Sequence, residues 1–392
     1  MRVLLAGASG AVGRYLVPQL IGAKHEVIGI TRTAGSLADT GAREIVADVL
    51  DRPSLLAALA SVKADAVVHQ LTALAKPPVR YKDMRDTNRL RTEGTSALIA
   101  AARAVGAKKF VAASFFGGYG FNDLGREPLT ELAPFGERDD RNDSVLVALL
   151  SLEQQVRAFG GVSLRYGLFY DSTAKTVSPV SRTWDGVLPM VHVKDAAHAV
   201  VLALAKYRAG EIYNVADDHP MTYRAREIAR AEAADIKPPQ QLPDSVLRMF
   251  APFGSMLLTR TSMELDSSKA LGELGWKPEF ASLLECLRVD APPPREVVVP
   301  KAKPTPVPEP SPVPEPTRVP EPTRVPEPSP IPEPSPIPEP VEGPAPEDSP
   351  EPEPEETPEP LSEPDPKASA PSKDPFRDID AAIARIGAPH DD

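Results

Sequence analysis

Cysteine is the scarcest residue in this sequence, with Cys286 alone among 392 residues. One thiol cannot close a disulfide within the chain, so a reducing compartment, the cytoplasm, is expected. Cys286 itself reads as a small apolar filler on a C-terminal helix. The six histidines are scattered, and with one cysteine they give no zinc-type spacing, so no metal is expected. No window approaches the ~18 uninterrupted apolar residues of a membrane helix. The opening MRVLLAGASG breaks on glycine too early for a signal peptide. No basic patch stands out, and an acidic tail is repelled by phosphate, so neither nucleic acid nor membrane is an expected partner.

Proline is plentiful but unevenly placed. Of 47 prolines, 33 fall in the last 102 residues, which also carry 22 acidic and 9 basic side chains. The preceding 290 residues hold 33 acidic and 35 basic groups, so a nearly neutral body precedes an acidic tail. Within 291–373 the six-residue units PEPTRV and PEPSPI recur. Proline on alternate positions blocks helix and sheet alike and leaves extended polyproline II, which predicts a disordered linker. The segment 374–392 differs. Asp374 suits a cap, Pro375 a first turn and Gly387 a stop, with Phe376, Ile379, Ile383 and Ile386 on one face. Helix 374–387 reads either as a frayed end or as a docking helix for a protein partner.

The body alternates short apolar runs with helical patterns. Strands are expected at Val3–Ala6, Glu26–Ile30, Arg43–Ala47, Asp65–His69, Lys109–Ser114 and Val162–Tyr166, with helices between them. This alternation predicts an α/β, doubly wound parallel sheet of the Rossmann kind. Residues 1–165 are expected to form the nucleotide-binding domain. Residues 166–290 are expected to form a small mixed subdomain, with strands over 187–193 and at EIYNV (211–215), an alanine-rich helix over 194–206, and helices near 222–235 and 267–288. The polar stretch 120–142 reads as a loop or lid.

Directly after the first strand stands Gly7-Ala8-Ser9-Gly10-Ala11-Val12-Gly13. Gly7 allows a tight turn, Gly10 a close approach of backbone to pyrophosphate, and Gly13 close packing of the helix that follows. The helix N-terminus then offers unpaired N–H groups to phosphate. About 20 residues further on a ribose-binding carboxylate is usual for NAD. Here the chain reads Gly29-Ile30-Thr31-Arg32, with no acid. Arg32 can pair with a 2′-phosphate, so NADP(H) is favoured over NAD(H).

The spacing of these glycines resembles the extended short-chain dehydrogenases and reductases, the NAD-dependent epimerase/dehydratase family. Further resemblances are ADVLD at 47–51, DAVVH at 65–69, EGTSALIAAARAVGAKKFVAAS at 93–114, LRYGLFY at 164–170, VHVKDAAHAV at 191–200, IYNVADD at 212–218 and LGWKP at 274–278. The resemblance implies that Asp48 and Val49 lie at the adenine, with Asp48 alternatively capping the next turn. It also implies that Leu71 and Thr72 line the dinucleotide and that Ser114 lies near it. A homodimer through the nucleotide domain is a further implication.

The same resemblance exposes an absence. The family's proton relay is a Tyr-x-x-x-Lys pair on a helix with a hydroxyl upstream, but none of the eight tyrosines has a lysine four residues on. Matching Glu153 to the family's glutamate puts Val145 and Leu149 at the tyrosine and lysine positions, and Phe115 at the hydroxyl. The usual asparagine of the long helix falls at Arg91. Tyr119, Tyr166 and His192 lie on segments that border the expected crevice, with Asp195 close behind, and of these Tyr119 and His192 are the candidate substitute acids. Two functions are thus expected: an atypical oxidoreductase or epimerase acting on a carbonyl or sugar-nucleotide-like small molecule, or a non-catalytic NADP(H) sensor or scaffold signalling through its tail.

Overall fold

Seven strands pair only in parallel: β1 (Arg2–Ala6), β2 (Glu26–Thr31), β3 (Arg43–Val46), β4 (Ala66–His69), β5 (Lys109–Phe115), β6 (Val162–Tyr166) and β7 (Ile212–Val215). Their order across the sheet is β7-β6-β5-β4-β1-β2-β3. The chain therefore winds outward in both directions from the β1/β4 pair, and that reversal opens a crevice at the carboxyl ends of these two strands. The computed structural model describes residues 1–289 except residue 75, 138–142 and 173–175. The proline-rich segment and helix 374–387 lie outside the described residues.

Strand alternation divides the core. Val3 and Leu5 of β1 face α1 (Gly13–Gly22), while Leu4 and Ala6 face α2 (Arg52–Ala58) and the long helix of the opposite layer. All of β4 and β6 is buried, the pattern of strands covered on both faces. The long helix α3 runs through Arg85–Arg89, a widened π turn at Leu90–Gly94, and Thr95–Val105, and stops at Gly106 in the left-handed region. Helix α4 spans Asp143–Phe159 and α5 spans Val193–Ala205. Among the described residues no helix is long and apolar enough to cross a membrane.

The boundary expected at residue 165 falls inside the sheet. β7 comes from beyond it yet pairs with β6, and α5 buries its alanine and valine face on the same core as α1. What remains of 166–289 forms a smaller core over the carboxyl edge, with Phe116, Tyr170, Met190, Met263, Leu283 and Cys286 at its centre. Two expected elements are interrupted. Pro189 divides the 187–193 strand, so that Val187–Leu188 pairs with Met221–Thr222 and Met190–His192 pairs with Leu168–Tyr170. The expected 267–288 helix stops at Gly275 (φ +68°) and resumes only at Leu283–Val289.

Candidate cofactor and active site

The glycine turn occupies the carboxyl end of β1. An added Cβ at Gly13 would lie 2.2 Å from the Ala8 carbonyl oxygen, and one at Gly7 (φ +97°) 2.6 Å from that of Gln70. These two glycines serve the fold itself. Gly10 differs, because its Cβ would meet only the Gly7 oxygen, at 3.2 Å. Ser9, Gly10 and Ala11 are exposed. Among the described residues the backbone N–H groups of Ala11 and Val12 donate to no protein group, and no acidic side chain stands in the first turn of α1. Unsatisfied donors, a positive helix end and room for close approach are what a pyrophosphate requires.

Around that turn the other expected contacts divide. Arg32 is exposed just past β2 and has no ion pair among the described residues. The loop after it is shaped by Glu44 on β3, whose carboxylate accepts from Gly35 N and Leu37 N. These bonds, the first above all, hold the Glu44 carboxyl below its ordinary range. Asp48 does form the local turn, with its Oδ1 accepting from Leu50 N at 2.9 Å, and the residue is exposed. Val49 is buried in the core, so its side chain offers a ligand nothing. Leu71 and Thr72 leave β4 at the crevice and are held there by His69 Nδ1 and by Thr87 on α3. His69 is buried, which lowers its pKa to about 4 and keeps it neutral.

The three positions of the family relay form an apolar wall. Val145 and Leu149, 1% and 0% exposed, pack with Met84, Phe121, Phe253 and Met256. Phe115 joins the same cluster and lies against Phe116, with ring centroids 4.3 Å apart. A lysine or tyrosine there would have to displace side chains already in contact.

Beside the wall runs a buried polar network that sequence reasoning had only partly placed. Ser114 turns inward, donating to Glu153 Oε1 at 2.6 Å, so its hydroxyl is not offered to a cofactor. Glu153 also receives a two-point clamp from Arg165 at 2.9 and 2.7 Å. The guanidinium lies over the rings of Tyr119 and Phe135. Tyr119 is 3% exposed, and its hydroxyl donates to Asn214 Oδ1; burial raises its pKa. These residues join β5, β6, β7 and α4. Tyr119 thereby tightens the sheet edge and presents no free hydroxyl to the crevice.

His192 caps α5 by accepting from Lys194 N and is enclosed by Tyr15, Tyr170 and Phe280. Asp195 accepts from Glu279 N and Phe280 N. An unforeseen pair lies next to them, where the Tyr170 hydroxyl donates to Asp217 Oδ2 and Asp217 Oδ1 is buried without a partner. Burial pushes Asp217 up to about 8. Nothing in the local sequence IYNVADD distinguishes Asp217 from a surface acid; its burial follows from the β7 pairing.

A family model described as the NAD dependent epimerase/dehydratase family matches residues 3–160. The chain is 35% identical over 304 residues to a 3-diazoavenalumate denitrifying reductase of a Streptomyces species, a match covering 72% of this chain and 97% of that protein. The chain belongs to the NAD-dependent epimerase/dehydratase family. An uncharacterized Schizosaccharomyces pombe protein is 25% identical, over 74% of this chain and 99% of its own length. Among solved structures, a Thermus thermophilus UDP-glucose 4-epimerase in complex with NAD aligns with TM-score 0.60 and 24% identity, covering 74% of this chain and 97% of that one. A Thermotoga maritima UDP-glucose 4-epimerase aligns with TM-score 0.61 and 21% identity over the same shares. These two likenesses are of fold. As an epimerase/dehydratase family member, the protein keeps the dinucleotide turn and has an apolar wall where the resemblance places the proton relay.

Proposed function

We propose that this protein is an NADP(H)-dependent reductase of a small electrophilic substrate whose reduction needs no proton from a protein side chain. The observation that carries this reading is the pairing of an intact phosphate-binding turn with the apolar wall of Phe115, Val145 and Leu149. Ala11 and Val12 N–H groups would hold the pyrophosphate, Arg32 the 2′-phosphate, and Leu71 and Thr72 the dinucleotide's edge. Bound there, the dinucleotide supplies a hydride. The wall offers no acid, which suits neither sugar-nucleotide epimerisation nor ordinary carbonyl reduction. It does suit an acceptor such as a diazonium carbon. Hydride replacing dinitrogen there forms a C–H bond and leaves no oxygen to protonate.

The Streptomyces relative, a denitrifying reductase of a diazo acid by its name, supports this class, and its full-length match favours turnover over a sensor or scaffold role. The test is titration with NADPH, NADH, NADP⁺ and NAD⁺, followed by nicotinamide absorbance in the presence of an aryl diazonium salt, a ketone and a sugar nucleotide. Tighter binding of NADPH than NADH, and enzyme-dependent oxidation with the diazonium salt alone, are expected. Binding of none of the four dinucleotides would overturn the assignment; preference for NADH would overturn the role of Arg32 alone.

A further inference from the structure

Arg91 sits in the π turn of α3, where the helix widens by one residue. Such turns recur at functional sites because they re-aim a side chain. Among the described residues the only hydrogen-bond partner of its guanidinium is neutral, with Nη1 donating to Asn88 Oδ1 at 3.3 Å. No carboxylate pairs with it among the described residues. Two positions earlier on the same helix, Arg89 does have an acid, Glu93, at 2.9 Å. The contrast is in environment. Arg89 is exposed, whereas Arg91 is half-buried, and burial alone lowers its pKa to about 10. None of its remaining nitrogens is a sealed orphan; they retain access from the surface.

Its place is the crevice. The charged or titratable group that feels Arg91 is His69, at the carboxyl end of β4, and His69 bonds to the Leu90 carbonyl beside it. Thr87, one turn back on α3, touches Thr72 and Ala73. Arg91 therefore stands on the β4 flank of the β1/β4 crevice. The dinucleotide's phosphates have other sites: the glycine turn at β1, and Arg32 at the end of β2, on the opposite side of β1 from β4. A cation on the β4 flank is left for the second molecule.

We infer that Arg91 anchors a carboxylate of the substrate in the β1/β4 crevice. Asn88 steadies the guanidinium through one N–H and leaves the rest of its planar fork for two-point recognition, which a carboxylate matches and an amide does not. The inference rests on the reductase reading for the existence of a substrate, and adds the chemical class of that substrate: a small carboxylic acid.

The experiment is calorimetric titration of the NADP⁺-loaded full-length protein with cinnamate and with cinnamamide, for wild type, Arg91→Ala and Arg91→Lys, with thermal melts and NADP⁺ affinity measured in parallel. Wild type should bind cinnamate and discriminate against the amide. Arg91→Ala should lose about 10- to 100-fold in cinnamate affinity, the worth of a charged hydrogen-bonded pair, and Arg91→Lys should recover part of it. NADP⁺ affinity should not change, and the melt should not fall, since no ion pair is broken and an unpaired, partly desolvated charge is removed. Equal binding of acid and amide by wild type, or of cinnamate by wild type and Arg91→Ala, overturns the inference. A fall in NADP⁺ affinity in Arg91→Ala overturns it as well, by making Arg91 a cofactor contact. Failure of wild type to bind NADP⁺ is the separate failure of the reductase reading.

Discussion

Replacing Gly10 by alanine separates what the glycine turn does for the fold from what it does for a ligand. At Gly10 the new methyl would meet a single protein atom, the Gly7 oxygen at 3.2 Å, and the backbone there does not need the left-handed region. The crowding is slight, and alanine also reduces the freedom of the unfolded chain, so stability should change by no more than about 1 kcal/mol. The same methyl projects from the exposed side of the turn, beside the free N–H groups of Ala11 and Val12. Holding a phosphate off one such donor removes a charge-assisted hydrogen bond of about 1.5–3 kcal/mol, a tenfold to hundredfold rise in Kd. Gly13→Ala is the control. Its methyl would lie 2.2 and 2.3 Å from two carbonyl oxygens, and overpacking against backbone should cost about 3 kcal/mol or more. NADPH titration by fluorescence and thermal melting read the two effects apart. A Gly10→Ala protein that binds NADPH as wild type does would refute the phosphate-binding turn, and one that melts early would refute the distances.

Three further outcomes follow from the buried groups. Glu153→Gln leaves the Arg165 guanidinium, 4% exposed, without its counter-charge and should lose about 3–5 kcal/mol in denaturant unfolding; a loss below about 1 kcal/mol would show that the ring contacts carry the arginine. Leu149→Lys, alone or with Val145→Tyr, should fail to install relay chemistry and should melt far below wild type, because a fully buried site among Met84, Phe121, Phe253 and Met256 cannot solvate an ammonium. A wild-type melt would mean that the wall opens to water. Asp217, held up to about 8 by burial with Asp195 nearby, carries a proton in the folded state that the unfolded chain releases near 4. Its contribution to stability is therefore complete at acid pH and falls as pH rises to about 8, at up to roughly 1.4 kcal/mol per unit. Asp217→Asn should flatten that decline between pH 6 and 8 in melts, and an unchanged slope would place the titration elsewhere.

Much of this was legible in the sequence because it is local. Gly7, Gly10 and Gly13 between an apolar run and a helical pattern need only a few residues of context, and all seven sheet strands announce themselves as short apolar runs, the last of them without its place beside β6. What escaped depends on partners distant in sequence. Tyr119 is expected as a substitute acid and Ser114 as a neighbour of the cofactor because both border the expected crevice. Only the Glu153–Arg165 clamp, which joins α4 to β6, shows that both are spent inside. Asp217 looks like a surface acid until β7 is inserted beside β6. Pro189 and Gly275 were readable as breaks in principle, yet the apolar pattern continues through both and outweighed them. Arg91 was visible as a substitution in the resemblance; its lack of an acid partner was not.

The return of β7 to the sheet sets an order on synthesis. β6, buried along its whole length in the finished protein, emerges some 50 residues before the strand that covers its edge. Until Ile212–Val215 leaves the ribosome, the growing chain presents a flat, unpaired parallel edge of the kind that captures other strands. The clamp from Glu153 to Arg165 can already form at that stage, since both residues precede the gap.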